Sequence, residues 1–496
     1  MRRGPALLVG VSSGAVLAFA FPEPDVAPLA WVAIAPLLWL LDGAGPRRGA
    51  ALGAAFGLGF FAVLLYWISI VGVLAWIFLV LLQTLFVTAF GAAVAAGTTR
   101  WRSLPARTLV PAVVWVGLVE FFRSIVPLRG FTWGQLAQSQ HNVPFLLKGA
   151  GVAGGWGTAF LLVLVNALVA MCVVAAVKRR PRVAGAAAAS AIVALGLPVL
   201  VPTPAAGGAP IEVAIVQGNV PMDMPVSYEK ERTILGSHAH LTTELPHDVD
   251  LVVWPESSVG IDPNRDPEVM DEISSAAKAA GAPMIIGGNE DLPEDRYKVM
   301  AFLVSEAGEI VDRYQKTHLV PFGEFVPQRR YLDWIPALEQ VPRDAIPGVD
   351  PKVFDVAGGR IAPVISFEGD FGSLVRGRIK AGGRLLVVAT NTSTWGFSWA
   401  SAQHLAMSQV RAAENGVPVV HAALSGISAF IEPSGEIIER TALWNASVMV
   451  QELRFATDVS LYARTGDWLP WGCLVVTIVG LGVVVTRRRP EVQGSA

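Results

Sequence analysis

The sequence predicts a membrane protein in which a multi-span α-helical bundle carries an α/β layered domain outside the bilayer. Three observations predict it. The 496 residues are 53% hydrophobic and only 16% charged, with a mean hydropathy of +0.51, more apolar than soluble chains of this size. Charge is unevenly spread: it is nearly missing from long parts of the first 205 positions and concentrated between Glu212 and Asp467. Within that charged region, short apolar runs alternate with helical patterns, as layered α/β domains require.

Apolar runs of roughly the 17 to 25 residues that cross a bilayer fall at Pro5–Phe21, Val26–Leu41, Ala50–Ile68, Gly72–Ala96, Leu109–Ile125, Trp156–Val177 and Val183–Val201, with an eighth at Trp468–Val485. Residues 1–205 are therefore expected to form a seven-span domain, 206–460 an extracytoplasmic domain, and 466–487 a last transmembrane helix. With eight crossings, the cationic clusters Arg2/Arg3, Arg47/Arg48, Arg100/Arg102/Arg107, Lys178–Arg182 and Arg487–Arg489 share one side. The positive-inside rule makes that side cytoplasmic, which places the polar domain outside a multi-pass protein of the cell membrane. A cleaved leader is the alternative for Met1–Phe21, disfavoured because the alternation of charge needs that span.

The stretch "EFFRSIVPLRGFTWGQLAQSQ", Glu120–Gln140, follows the fifth run. Aromatic anchoring at the membrane interface is its plainer reading, and a lipid-headgroup site the second. The net charge of -2 gives no sign of a nucleic-acid partner. Cys172 and Cys473 sit far apart in apolar runs, so neither a disulfide framework nor a zinc site is indicated, and no metal or nucleotide motif occurs.

A Pro/Gly/Ala linker, Pro202–Pro210, precedes the first strand pattern, "IEVAIVQGNV". Further strand patterns are "DLVVWPES", "APMIIGGNE", "MAFLVSEAGEI", "IVDRYQKTHLV", "IAPVISF", "RLLVVATNTS", "VPVVHAAL" and "ISAFIEPSGEI", with helical patterns at Tyr228–Leu245, Pro267–Ala280 and Ala400–Glu414. "SEAGEI" and "EPSGEI" read as hairpin turns.

In α/β domains chemistry collects where strands end, and three endings carry suitable residues. In "LVVWPES", Glu256 follows an apolar strand and a Trp-Pro pair, a setting suited to general-base work. In "YQKTHLVPFGEFVP", Lys316 is placed to hold an oxyanion or orient a base, and Glu324 follows a Pro/Gly turn. In "VISFEGDF", Ser366 stands at a strand-to-turn junction like a nucleophile elbow, with Glu368 two residues on and a helical pattern following.

These motifs, with "QHLAMSQVRAAENGVPVV", resemble the nitrilase superfamily, whose Glu-Lys-Cys triad occurs in this order, and more closely the apolipoprotein N-acyltransferases, over essentially the whole chain. The resemblance implies an α-β-β-α sandwich with Glu256 as general base, Lys316 at the oxyanion, and Glu324 and Glu368 as supporting acids near lysine and nucleophile. Ser366 falls where the family has its cysteine, and Phe367 where an aromatic hydroxyl is usual; "NTSTWGFS", Asn391–Ser398, also departs from the family pattern. The implied reaction moves an acyl chain from a phospholipid to the nucleophile, and then to the α-amino group of a diacylglyceryl-modified apolipoprotein. It needs no cofactor.

A serine hydroxyl must lose its proton as it attacks, whereas a cysteine is already part thiolate. Serine enzymes normally use histidine for this, and the domain offers His318, His404 and His421. Two other readings stand beside the enzyme: a weakened or inactive paralogue that binds lipid or lipoprotein, and a membrane-tethered amidase, which the many spans disfavour.

Overall fold

The computed structural model describes residues 3–100, 103–202, 206–246, 249–332 and 334–486. Arg2, Arg102 and Arg487–Arg489 of the cationic clusters, and 203–205 of the linker, lie outside the described residues. The chain divides into two compact units, 1–200 with 467–496, and 201–466.

In the first unit, among the described residues, five helices are long and apolar enough to cross a membrane: Pro46–Leu64, Val73–Thr98, Pro105–Ser124, Gly155–Val177 and Pro181–Leu200. Three of the eight expected runs make shorter apolar helices, at Arg3–Ala18, Ala27–Leu41 and Trp468–Val484. The second expected run is not one helix but a 3₁₀ turn, Ala27–Trp31, followed by a seven-residue helix, Ala35–Leu41. Proline explains the break: Pro36 has no N–H to give and its ring occludes the preceding turn, so it is tolerated only where a helix begins. The N–H groups freed there, of Ile34 and Ala35, both donate to Asn166 Oδ1 at 2.9 Å. Asn166 Nδ2 in turn donates to the carbonyls of Ala30 and Leu162, each at 2.8 Å. One buried amide thus supplies the backbone partners that lipid cannot.

The helices Pro46–Leu64 and Val73–Arg100 cross closely on glycine. A Cβ at Gly53 would lie 2.2 Å from the carbonyl oxygen of Val87, and one at Gly91 2.2 Å from that of Gly49. Small residues at such spacing let helix backbones approach in a membrane. The fifth run is α-helical over Leu104–Val114 and π-helical over Trp115–Phe121. Beyond it, Arg123 is buried and donates to the carbonyls of Val119, Phe131 and Trp133 at 2.7, 3.1 and 2.6 Å. Its guanidinium holds the loop backbone.

The second unit is a two-sheet sandwich. Its strands are β1 (Pro210–Gln217), β2 (Leu251–Val253), β3 (Met284–Asp291), β4 (Arg296–Val304), β5 (Ile310–Gln315), β6 (Asp344–Ala345), β7 (Phe354–Val356), β8 (Gly359–Ile365), β9 (Leu385–Thr390), β10 (Val419–Ala423), β11 (Ala429–Ile431), β12 (Ile437–Arg440) and β13 (Ser447–Arg454). One sheet runs β13-β1-β2-β3-β4-β5, with β6 beside β4; the other runs β12-β11-β10-β9-β8-β7. Both expected hairpins are present, β4 with β5 and β11 with β12.

Alternation along each strand builds the layers. Val213, Ile215, Val253 and Ile285 of one sheet share a core with Ile361, Leu385, Val387 and Val420 of the other. The residues between them point outward. Ala214, Val216 and Val252 pack on helices α1 (Tyr228–Thr243) and α2 (Pro267–Ala280), while Ala362, Val364 and Val388 pack on α3 (Gly372–Lys380) and α4 (Ala400–Asn415). The order is therefore α-β-β-α. Strand β13, which the sequence patterns miss, zips antiparallel onto β1 over its full length; half its side chains are only partly buried, so its apolar signal is weak.

Candidate active site

Glu256, Lys316 and Ser366 each follow the end of a strand. Glu256 leaves β2 in a sharp turn that lies against β3, and Gly287 makes the approach possible: a Cβ there would stand 2.5 Å from the Glu256 Cα. Trp254, expected beside the carboxylate, turns the other way. Its ring packs toward His238 and its Nε1 donates to Thr242 Oγ1 at 3.0 Å.

Lys316 directly continues β5, its N–H bonded to the carbonyl of Val299 at 2.9 Å. Its ammonium, 1% exposed with the rest of the residue, donates to Glu256 Oε1 at 2.9 Å and to Glu324 Oε1 at 2.5 Å. Glu256 Oε2 accepts the N–H of Asn391 at 3.0 Å, and Glu324 Oε2 accepts that of Val320 at 2.8 Å. Burial alone pulls the lysine toward its neutral form; the two carboxylates outweigh it and hold the ammonium charged. Glu324 is pushed up from the ordinary carboxylate range, first by burial and then, against the pull of Lys316, by its neighbour Glu256. Two carboxylates share one cation.

Ser366 opens a five-residue 3₁₀ turn with a positive φ of +47°, a conformation that side-chain-bearing residues adopt only under constraint. Helix α3 follows at Gly372, as the sequence led us to expect. The parallel register of β8 and β9 sets Ile365 opposite Ala389, so Ser366 comes level with Thr390. Thr390 Oγ1 donates to Ser366 Oγ at 3.2 Å. Because the next residue, Asn391, gives its N–H to Glu256, the dipeptide Thr390–Asn391 bridges the serine to the carboxylate–lysine cluster.

Glu368 is fully buried and serves differently from Glu324. Its carboxylate accepts from the Thr317 N–H and hydroxyl (2.8 and 2.7 Å), the His318 N–H (3.2 Å), the Ile365 N–H (3.0 Å) and the Tyr314 hydroxyl (2.6 Å). It is also paired with Arg378 at 3.1 Å. Burial opposes its charge, but Arg378 and these hydrogens hold its carboxyl below the ordinary range. It fastens the Lys316 loop to the Ser366 turn without touching the ammonium. Phe367 is buried against His318 and Phe371, ring centroids 5.5 and 5.0 Å away.

The three histidines are also placed. His318 lies with its ring 4.2 Å from Phe371, His421 Nδ1 contacts Ser408 Oγ at 2.8 Å, and His404 Nε2 stands 3.4 Å from the carbonyl of Ser366. His404 thus meets the serine's backbone, while its hydroxyl is met by Thr390. Sequence reasoning missed Thr390, Tyr314 and Arg378. Thr390 ends the strand pattern "RLLVVATNTS" and obeys the strand-end rule; Tyr314 and Arg378 carry no signal, since they act across 54 and 10 residues.

This sandwich, with its strand-end Glu and Lys, defines a carbon–nitrogen hydrolase domain. The sequence profile of that family, "Carbon-nitrogen hydrolase", matches residues 212–460, and the profile "Apolipoprotein N-acyltransferase N-terminal domain" matches residues 13–168. Apolipoprotein N-acyltransferase from Geobacter metallireducens is 33% identical over 97% of this chain and 95% of its own length. The enzyme of that name from Azotobacter vinelandii is 31% identical over 98% and 96%. Among solved structures, an amidase from Nesterenkonia sp. AN1 covers 52% of this chain and 96% of its own at 17% identity, with a TM-score of 0.37. The chain belongs to the apolipoprotein N-acyltransferase family.

Proposed function

We propose that the chain transfers an acyl group from a membrane phospholipid to the α-amino group of the diacylglyceryl-cysteine that begins a lipoprotein, through an ester on Ser366, with the second unit facing away from the cytoplasm. The observation that carries this reading is the convergence of Ser366, Glu256 and Lys316 on one place: Thr390 Oγ1 donates to Ser366 Oγ, the N–H of the next residue, Asn391, donates to Glu256 Oε2, and Lys316 donates to Glu256 Oε1.

In the first step Ser366 Oγ bonds to the acyl carbonyl carbon as its proton passes to Glu256. Two of the three hydrogens on the Lys316 ammonium are committed to Glu256 and Glu324, and the third is free to stabilise the carbonyl oxygen as it gains charge. The ester bond of the phospholipid breaks, and the lysophospholipid oxygen leaves with the proton from Glu256. In the second step the lipoprotein amine attacks the Ser366 ester, an amide forms, and Oγ recovers its hydrogen. Positions 1–205 and 466–487 supply the membrane setting in which donor and acceptor, both lipids, are met.

An oxygen nucleophile with a carboxylate base is slower than a thiolate. General-base catalysis is worth about 10² to 10⁴ in rate, so a mismatched base lowers acylation on that scale. Mass spectrometry of a lipoprotein N-terminus, from cells in which this protein is the sole N-acyltransferase, tests the reading. A third acyl chain that disappears with Ser366→Ala is the expected result. Its absence with the natural protein and appearance with Ser366→Cys would reject the active serine in favour of a weakened paralogue.

A further inference from the structure

We propose that His404, backed by Asp370, is a positioning residue for acylation: its ring N–H clamps the carbonyl of Ser366 and holds the strained turn so that the hydroxyl stays on Thr390. This inference rests on the reading of Ser366 as nucleophile. His404 lies on α4 and is 3% exposed; its Nε2 is 3.4 Å from the Ser366 carbonyl oxygen and 3.3 Å from Asp370 Oδ1. A carbonyl oxygen only accepts, so Nε2 carries the hydrogen. That nitrogen is therefore unable to act as the base a serine enzyme would ask of it.

His404 Nε2 lies within 3.4 Å of groups at both ends of the turn Ser366–Asp370, a segment whose first residue has a positive φ that its surroundings must impose. The far end is gripped a second time, because Arg411 Nη1 donates to the Asp370 carbonyl at 2.9 Å. Burial disfavours charge on both: it pushes His404 down to about 4 and the Asp370 carboxyl well above its usual range. His421 supports the imidazole from behind, ring centroids 5.1 Å apart. A pair of buried polar side chains at this place is costly where packing is the sole need; a hydrogen directed at the nucleophile's own carbonyl gives it a purpose.

The test uses the full chain in detergent, with mixed micelles of phosphatidylethanolamine and phosphatidylglycerol as acyl donor and intact-mass detection of the acyl-enzyme. His404→Leu is expected to lower kcat for acylation about 10²-fold, the scale of a nucleophile displaced by about 1 Å, with KM for lipid within about twofold. His404→Gln, which restores an N–H, is expected to recover most of that loss. A Leu variant within about twofold of the parent, or a folded Gln variant no better than Leu, overturns the proposal. Should His404→Leu fail to fold, Asp370→Leu against Asp370→Asn carries the same comparison.

Alkylation separates this inference from the proposed function. In a Ser366→Cys background, iodoacetamide modification of position 366 is mapped by mass spectrometry. A rate that differs about tenfold between the Leu and Gln variants of His404 supports the clamp even where no phospholipid acylates the protein, the outcome that defeats the proposed function; equal rates overturn the clamp.

Discussion

Glu324, partly buried, and Glu368, fully buried, stand at opposite ends of the Lys316 loop, and their carboxyls are driven in opposite directions. Glu368 is surrounded by donors: Arg378, Tyr314, Thr317 and two further backbone N–H groups all point at it. Glu324 has the Val320 N–H and one ammonium, which it shares with Glu256. Burial opposes both charges; at Glu368 Arg378 and the surrounding hydrogens overcome it, whereas at Glu324 the like charge of Glu256 adds to it and Lys316 does not offset the two. The comparison separates a carboxylate held charged by many donors, which fastens the fold, from one that burial and a like-charged neighbour draw toward its neutral form.

Lys316 stands between the two, and removing its charge gives the largest effect. Lys316→Met leaves Glu256 and Glu324 as facing carboxylates without a cation, and takes away the proposed oxyanion donor. One such donor is worth about 10² to 10³ in rate, and an orphaned buried charge adds to the loss. Acyl-enzyme formation, followed by intact mass, is expected to fall about 10³-fold. A loss under about tenfold would show that the cluster is scaffolding.

Next is Glu368→Gln, which strands Arg378 in the interior. Breaking a buried pair costs about 3 to 5 kcal/mol, so the expected result is a strong fall in the unfolding midpoint of the full chain in detergent. Its pH dependence follows from the depressed carboxyl. A folded value below the unfolded one contributes stability above the ordinary carboxylate pKa of about 4.3, lost as pH falls through the folded value. The difference between natural protein and variant should accordingly shrink below about pH 4. A constant difference down to pH 3 would contradict the clamp.

Glu324→Gln reverses the sign. Its folded value is raised, so the stability it contributes is present below the unfolded value and is lost as pH rises through the folded one. A glutamine stays neutral throughout and leaves Lys316 paired with Glu256 alone. The variant is expected to unfold at least as late as the natural protein at pH 7 to 8, with that advantage gone near pH 4, while acylation falls about 10²-fold because the ammonium is less firmly aimed. A strongly destabilised Glu324→Gln would erase the distinction between the two acids.

How far the sequence carried follows the same division. Glu256, Lys316 and Ser366 stood out as candidates because each follows a strand end, where α/β domains place chemistry, and Glu324 because it follows a Pro/Gly turn just beyond Lys316. The sandwich was legible because alternate residues such as Val213 and Ala214 face different cores. The groups that orient the reacting ones were not. Tyr314 and Arg378 converge on Glu368 from 54 and 10 residues away, and Asn391 reaches Glu256 across 135, contacts set by sheet register rather than by local pattern. The broken second run escaped hydropathy as well, since Pro36 interrupts the backbone ladder without reducing apolar character.

Thr390 gives the smallest expected effect and tests whether the serine has local support of its own. Thr390→Val keeps the shape and removes one neutral hydrogen bond, worth about 1 kcal/mol. Acylation by the natural protein should therefore fall about five- to tenfold, with stability nearly unchanged. In the Ser366→Cys background the same substitution should matter less, because a thiolate attacks without first losing a proton to a neighbour. The two substitutions form a double-mutant cycle. A coupling of about 1 kcal/mol assigns Thr390 to the oxygen nucleophile, whereas equal losses in both backgrounds would make it part of the β9 strand end and leave Ser366 dependent on Glu256 alone.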